Sequence, residues 1–161
     1  MSPIIYSTTV AAAVGAGLMG GFFFAFSNLV MPSLRRLTPQ AGIEAMQVIN
    51  EVVLNPIFFL GFFGTALLAL VLVAVAAMNF AGSGMPWLLA AGIAYLAGVI
   101  LVTVFFNVPM NNALAAVDPS SAAGAALWAD YVDRWTMWNH VRTVGGLVSS
   151  GAFILAVRAA A

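Results

Sequence analysis

The stretch DRWTMWNHVRT, residues 133–143, decides how this chain is interpreted. It holds two of the arginines, two of the 4 tryptophans and the single histidine, and it runs directly into the apolar segment 144–157. Ionisable side chains at the start of a membrane-length helix are costly, and those that persist usually serve a function. His140 and Arg142 are therefore the first candidates for a catalytic site.

Composition predicts an integral membrane protein. Hydrophobic residues make up 63% of the chain and charged residues 6%, against about 25% charged residues in soluble domains, and the mean hydropathy is +1.07. The net charge of +0 argues against a nucleic-acid partner, which requires a basic surface. With 0 cysteines, disulfides and thiolate metal sites are excluded.

Four apolar segments are each long enough to cross the roughly 30 Å of hydrocarbon in a bilayer. We predict an all-α fold, a four-transmembrane-helix bundle that forms one domain over residues 1–161, with a short turn at residues 79–85. The first and third spans are expected to end near Pro32 and Asn107. The predicted spans are residues 4–30, 56–78, 87–107 and 136–158.

Two capping patterns predict helices whose amphipathic first parts run into the second and fourth spans. Thr38-Pro39 supplies an N-cap and a proline at the first helical position, and Asp118-Pro119 repeats the pattern. Polar residues after the first cap recur at three- and four-residue spacing, so they share one helix face. These residues are Glu44, Gln47, Glu51 and Asn55.

The two halves of the chain resemble each other. Phe26 and Phe106, Leu34 and Leu114, and Pro39 and Pro119 are each separated by about half of the chain. Each half contains a span, a polar exit, a capped amphipathic helix and a second span. This order predicts two repeated helical hairpins, related by an axis along the membrane normal. The glycine-rich helix faces would also permit a homo-oligomer.

Polar side chains should converge at one end of such a bundle, where spans one and three end and spans two and four begin. Polar groups that face lipid have no hydrogen-bonding partners, so we expect these side chains to turn inward around a pocket. They are Asn28, Gln47, Asn50, Glu51, Asn55, Asn107, Asn111, Asn139, His140 and Arg142.

The arginine distribution suggests an orientation. Arg35, Arg36 and Arg134 lie at the polar end and Arg158 at the other end, so the positive-inside rule places the polar end in the cytoplasm. The alanine-rich, lysine-free composition favours a bacterial chain, and we expect the bacterial inner membrane.

The fourth span presents aromatic rings beside a base and a cation. Tyr131, Trp135, Trp138 and Arg142 are spaced so that they should line one side of the helix. Such a surface suits a planar, apolar ligand that carries oxygen atoms.

Structural roles remain open for each of these side chains. The tryptophans are also typical of membrane-interface anchors, and His140 or the asparagines could simply join helices. Arg142 could pair with Glu51. A metal site is disfavoured because one histidine cannot provide two imidazole ligands; a set of His140, Glu51 and a methionine remains formally possible.

Four segments resemble those of the anthrone oxygenase-like family of small four-span membrane proteins. They are FSNLVMP at 26–32, AMQVIN at 45–50, NVPMN at 107–111 and WNHVRT at 138–143. The resemblance implies the fold and the membrane location. It also implies oxidation of an anthrone to an anthraquinone by O2, without a metal or a flavin cofactor.

If this activity applies, a neutral imidazole at His140 is a suitable general base. Arg142 and the amides of Asn107, Asn111 and Asn139 would stabilise the oxyanion, and Trp135 and Trp138 would stack on the substrate. The alternative is a non-enzymatic protein, either a carrier that binds a quinone-like lipophile or a structural membrane subunit.

Overall fold

The computed structural model describes residues 1–78 and 82–160, and all regular secondary structure in that part of the chain is helical. Four helices are long and apolar enough to cross a membrane, which confirms the predicted all-α four-helix membrane bundle. Residues 79–81 of the predicted turn lie outside the described residues. The helices are α1 (Pro3–Leu34), α2 (Pro39–Val52), α3 (Pro56–Met78), α4 (Met85–Ala115) and α5 (Ala122–Ala159).

The four long helices form a ring. Helix α5 packs against α1 and α4, and α3 closes the ring through contacts with the same two helices. The first helices of the two halves, α1 and α4, thus alternate with the second helices, α3 and α5, as two repeated hairpins require. The short helix α2 lies across one end of the ring, against α5 and the end of α4.

Two adjacent glycines on α5 set its distance from its neighbours. A Cβ atom on Gly146 would lie 2.8 Å from the Cα of Gly20 in α1, and one on Gly145 would lie 3.0 Å from the Cα of Gly98 in α4. Small residues at such crossings let membrane helices approach until their backbones touch. The rotation of α5 about its own axis is therefore determined by packing on both sides.

Helices α1 and α4 both continue past a proline. Helix α1 ends at Leu34, close to the expected end near Pro32, whereas α4 continues beyond Asn107 to Ala115. Proline lacks an N–H group and its ring clashes with the preceding turn of an α-helix. Wide π-helical turns at Phe26–Val30 and Thr103–Asn107 lie just before Pro32 and Pro109. A π-helical turn adds a residue and relieves that conflict, so the helix continues.

The first capping prediction is confirmed. The Thr38 hydroxyl accepts a hydrogen bond from the Ala41 amide at 3.4 Å, and α2 begins at Pro39. The side-chain oxygen of Asn55 then accepts from the amides of Ile57 and Phe58, both at 3.1 Å, so Asn55 is the N-cap of α3.

The second capping prediction is wrong by one turn, because α5 begins at Ala122 rather than at Pro119. Ser121 is its N-cap and accepts from the Gly124 amide at 2.9 Å. Asp118 instead forms a turn in which its carboxylate accepts from the Ser120 amide at 2.9 Å and the Ser120 hydroxyl at 2.8 Å. These two bonds lower the pKa of the Asp118 carboxyl below its usual value, and the bond from the backbone amide has the larger effect.

The interior contains two apolar clusters. One fills the centre of the ring and includes Met19, Phe23 and Tyr95. The other lies beneath α2, where Trp128 packs so closely on Gly42 that a Cβ atom there would lie 2.7 Å from its ring. Helix α2 is thus held against the polar end of the bundle by apolar contacts.

Candidate functional site

His140 and Arg142 lie on opposite sides of α5. Arg142 is 5% exposed, whereas His140 is exposed on the outer surface of the ring. Two residues along an α-helix advance by about 200°, so these side chains cannot share a face. The expectation that the imidazole and the guanidinium face one cavity with the asparagines is therefore wrong.

Arg142 is embedded between α1 and α4. Its Nη2 donates to the Asn139 Oδ1 at 2.7 Å and its Nη1 to the Thr103 hydroxyl at 3.5 Å. The guanidinium carbon lies 4.4 Å from the ring centroid of Phe23 and 4.9 Å from that of Trp135, within cation–π range. The Nε atom has no hydrogen-bond partner among the described residues.

Asn139 joins α5 to α1. Its Nδ2 donates to the carbonyl oxygen of Phe23 at 2.6 Å and to the hydroxyl of Ser27 at 2.7 Å. Its Oδ1 faces Arg142, so both ends of the amide are used. Ser27 lies in the π-helical turn Phe26–Val30, which places its hydroxyl towards α5.

Phe23 and Ser27 in α1 and Thr103 and Asn107 in α4 occupy equivalent positions of the two repeats, each pair about half of the chain apart. One pair, Phe23 and Thr103, flanks the Arg142 guanidinium from both sides. The other pair, Ser27 and Asn107, bonds α5 from both sides. Sequence reasoning missed Phe23, Ser27 and Thr103, and the repeat is the signal that would have found them.

A second buried group connects α4 with α5. The Asn111 Oδ1 accepts from the Trp135 indole nitrogen at 2.7 Å and from the Tyr131 hydroxyl at 2.9 Å. Asn107 donates to the Trp135 carbonyl oxygen at 3.2 Å, and its own Oδ1 has no partner among the described residues. These contacts give Asn107 and Asn111 the helix-joining role that the sequence left open.

A polar pocket of about 300 Å³ lies between α2 and the end of α4. Gln47 closes one side by donating to the carbonyl oxygens of Leu114 and Val117, at 2.9 and 3.2 Å. The pocket collects several of the predicted polar residues, but neither His140 nor Arg142 lines it. Its side chains are Gln47, Asn50, Glu51, Leu54, Val108, Asn111, Asn112 and Ala115.

The alternative pairing of Arg142 with Glu51 does not form. In residues 1–78 and 82–160, the ion pairs within 4.0 Å join Arg35 to Asp133 and Arg134 to Asp130, and all four side chains are exposed. The set of His140 with Glu51 is likewise not assembled, because the two side chains line different cavities.

Two predicted site residues serve their own helices instead. Asn28 is exposed and donates to the Phe24 carbonyl oxygen of α1 at 3.0 Å. Asn55 caps α3, as described above. Neither side chain lines the polar pocket, so the expected convergence is wrong for both.

His140 borders an apolar groove of about 480 Å³ on the outer surface between α4 and α5. Small residues form its floor, and the imidazole is its single ionisable group. Within the described parts of the chain, no hydrogen bond involves the imidazole. The lining residues are Ile93, Ala94, Ala97, Gly98, His140, Val141, Val144, Gly145 and Val148.

Trp138 also belongs to the outer flank of this helix pair. Its ring stacks on Phe106 of α4, with centroids 3.5 Å apart and planes at 11°. Tyr131, Trp135 and Arg142 are buried as a row, but Trp138 is only half-buried. The predicted aromatic row is therefore divided between the inside and the outside of the bundle.

A larger apolar cleft of about 700 Å³ lies between α1, α2 and α3, and the sequence did not predict it. Three phenylalanines stand at its wall. The Phe22 ring is 4.9 Å from Phe26 and 5.5 Å from Phe58. The remaining lining residues are Leu18, Met19, Val48, Ile49, Val52, Val53, Asn55, Ile57 and Gly61.

Comparison with known proteins identifies the family of the chain. No curated protein and no solved structure matches it at a significant level. The family described as anthrone oxygenase matches residues 58–152, which is more than half of the chain. The matched region contains the whole His140 groove and the Arg142 side chain, whereas α1 and α2 precede it. The chain therefore belongs to the anthrone oxygenase family.

Proposed function

We propose that the protein is a cofactor-independent oxygenase that oxidises a planar, lipophilic anthrone-type substrate with O2, and that His140 is its general base. One observation carries this proposal. The single histidine of the chain is exposed and unpartnered among the described residues, in an apolar groove that lies wholly within the region matched to the anthrone oxygenase family.

The groove suits a substrate that is dissolved in the bilayer. Ala94, Ala97, Gly98 and Gly145 leave a shallow, flat floor on which a planar tricycle can lie. The stacked rings of Trp138 and Phe106 belong to the same pair of helices and offer a further aromatic surface. Because the groove opens on the outer surface of the bundle, the substrate would enter sideways from the lipid.

The reaction requires one base and no electron carrier. His140 removes a proton from the methylene carbon of the anthrone, and the resulting anion is delocalised onto the carbonyl oxygen. The electron-rich carbon is oxidised as a C–O bond to O2 forms, and the imidazolium returns the proton to give a hydroperoxide. Loss of the second C–H proton with cleavage of the O–O bond forms the new carbonyl and releases one water.

The imidazolium itself is the cation nearest to the substrate anion in this scheme. Arg142, Asn139 and Asn107 face the interior, so we assign them to holding α5 against α1 and α4 rather than to contacting the substrate in the groove. From the alanine-rich, lysine-free composition we propose a bacterial inner membrane, and from the distribution of arginines we propose that α2 lies on the cytoplasmic side.

Anthrone turnover in membrane vesicles tests the proposal. We expect His140→Ala to reduce the rate by at least about 100-fold, the usual contribution of a general base. Met137→Ala removes another exposed side chain of α5, outside the groove, and should keep full activity. Quinone formation and O2 uptake are both measured, with the spontaneous oxidation in empty vesicles subtracted.

Filling the groove is an independent check. Ala97 is exposed on the groove floor, and Ala97→Phe should block the substrate without disturbing the interior. Full activity in His140→Ala would overturn the proposal. Substrate binding without turnover in the wild type would instead favour the second candidate function, a carrier. That candidate is supported by the large cleft, whose lining residues include no ionisable side chain.

A further inference from the structure

We infer that the cleft between α1, α2 and α3 is a second ligand site, which takes a planar aromatic molecule with one negative charge on oxygen. The charge complementarity comes from Arg142, which lies one layer of aromatic rings behind the cleft wall. This site is separate from the His140 groove and does not depend on the proposed oxidation.

Arg142 is a buried cation whose charge nothing nearby neutralises. No carboxylate lies within 4.0 Å of it among residues 1–78 and 82–160. Its partners are a neutral amide, a neutral hydroxyl and two aromatic rings, and its Nε lacks an acceptor. A single charge in a membrane interior is costly, and such residues commonly face a charged ligand.

Aromatic rings connect this charge to the cleft. The Phe23 and Trp135 rings flank the guanidinium, at 4.4 and 4.9 Å. The Phe22 ring lies 5.6 Å from Phe23, and the Phe26 ring lies 6.0 Å from Trp135. Phe22 and Phe26 both line the cleft. A positive charge is weakly screened across aromatic rings with little water, so we expect the cleft to have a positive potential although a wall ring and the ring behind it separate it from the guanidinium.

No group on the cleft wall cancels this potential. Its one polar side chain, Asn55, is engaged in capping α3. The nearest carboxylate along α2, Glu51, lines the polar pocket on the other face of that helix, whereas Val48 and Val52 line the cleft. The other carboxylates at this end are all exposed, and two of them, Asp130 and Asp133, are paired with arginines. The remaining two are Glu44 and Asp118.

The two properties together define the ligand class. Apolar and aromatic walls favour a flat ring system, and the volume of about 700 Å³ accommodates one of several fused rings. The buried cation favours the ionised form of an acidic hydroxyl on that ring system. A phenol bound in the cleft should therefore have a lower pKa than the same phenol in detergent or lipid.

The test uses 4-nitro-1-naphthol, whose absorbance reports its ionisation. With the full-length protein in detergent and empty micelles as background, we expect the ionised form to bind at least about tenfold more tightly than 1-methoxy-4-nitronaphthalene, which cannot ionise. Arg142→Gln should abolish this preference but still bind the methoxy compound, and Arg142→Lys should keep it.

Exposed positions provide variants that do not depend on the buried arginine. Val48→Trp fills the cleft and should lose the preference for the ionised naphthol, whereas Val144→Trp fills the His140 groove at a similarly exposed position and should keep that preference. An unchanged preference in Val48→Trp or in folded Arg142→Gln would overturn the inference. If oleate displaced the bound naphthol at concentrations comparable to that of the naphthol, the cleft would instead be a site for an anionic lipid.

His140→Ala separates this inference from the proposed function. It should bind the naphthol as the wild type does while losing anthrone turnover. Loss of turnover with no naphthol binding in any protein would overturn the cleft site alone. Normal naphthol binding with full turnover in His140→Ala would overturn the role of His140 as general base alone.

Discussion

The interior around Arg142 and the outer groove around His140 are two positions apart in sequence and differ in almost every physical respect. Arg142 and Asn139 make hydrogen bonds and ring contacts to both α1 and α4. His140 makes no hydrogen bond among the described residues and borders only apolar side chains. A polar residue in a membrane helix can thus either join helices, as the buried and hydrogen-bonded Arg142 and Asn139 do, or remain exposed without a hydrogen bond, as His140 does.

The comparison also separates stability from activity. The inner face of α5 should determine how well the bundle holds together, because its polar groups lose their partners when any one is removed. The outer face should determine turnover with little effect on folding.

The largest expected effect is that of Asn139→Ala. It removes two donated bonds to α1 and the acceptor of Arg142, so a buried charge loses its best partner. We expect a loss of about 3–5 kcal/mol in the free energy of unfolding, measured by denaturant titration in mixed micelles. Asn112→Ala, at an exposed residue of the polar pocket, should cost less than about 0.5 kcal/mol. Equal losses in both variants would contradict the distinction.

A smaller effect is expected from the glycines of α5. Gly146→Ala would place its Cβ 2.8 Å from the Gly20 backbone, so α1 must move, at a cost of about 1–3 kcal/mol. Gly151→Ala has nothing within 4 Å of the new atom and should not destabilise the protein. Thermal unfolding of the two variants side by side measures the difference. A stable Gly146→Ala would mean that the α1–α5 crossing is looser than described.

The smallest expected effect is the difference in stability between substitutions of two tryptophans of α5, Trp135 and Trp138. Trp135→Phe removes the indole donor to Asn111 and weakens the contact with Arg142, with an expected loss of about 1 kcal/mol. Trp138→Phe keeps an aromatic ring against Phe106 and should change the free energy of unfolding by less than about 0.5 kcal/mol. The reverse order of the two losses would show that the outer stack, and not the inner bond, supports the fold.

Much of the fold was predictable because it depends on local chemistry. The four spans follow from apolar length, and α2 begins where Thr38 caps it. The break before α3, which Asn55 caps, was not predicted, because the polar face to which Asn55 was assigned runs on into the second span. The end of α4 was not predictable in this way, because a π-helical turn carries the helix past Pro109 to Ala115. The start of α5 was misplaced because Ser121, not Asp118, provides the cap.

The candidate site was only partly predictable. The sequence identified Asn107, Asn111, Asn139 and Arg142 as inward-facing, and the structure places all four between helices. It did not identify Phe23, Ser27 or Thr103, because a phenylalanine or a hydroxyl residue in an apolar span is unremarkable by itself. Their partners, Asn139 and Arg142, lie on another helix and more than 30 residues away in the sequence. Only comparison of the two repeats would have pointed to them.

By itself, the sequence determined the membrane location, the number of spans and the end of the bundle at which polar groups gather, since these follow from the composition and order of residues. Only the tertiary structure decided which side of α5 faces inward, and thereby placed His140 outside and Arg142 inside. The reason is that lipid is as apolar as the protein interior, so the two faces of a membrane helix look alike in hydrophobic pattern. Close packing at Gly145 and Gly146 sets the rotation instead.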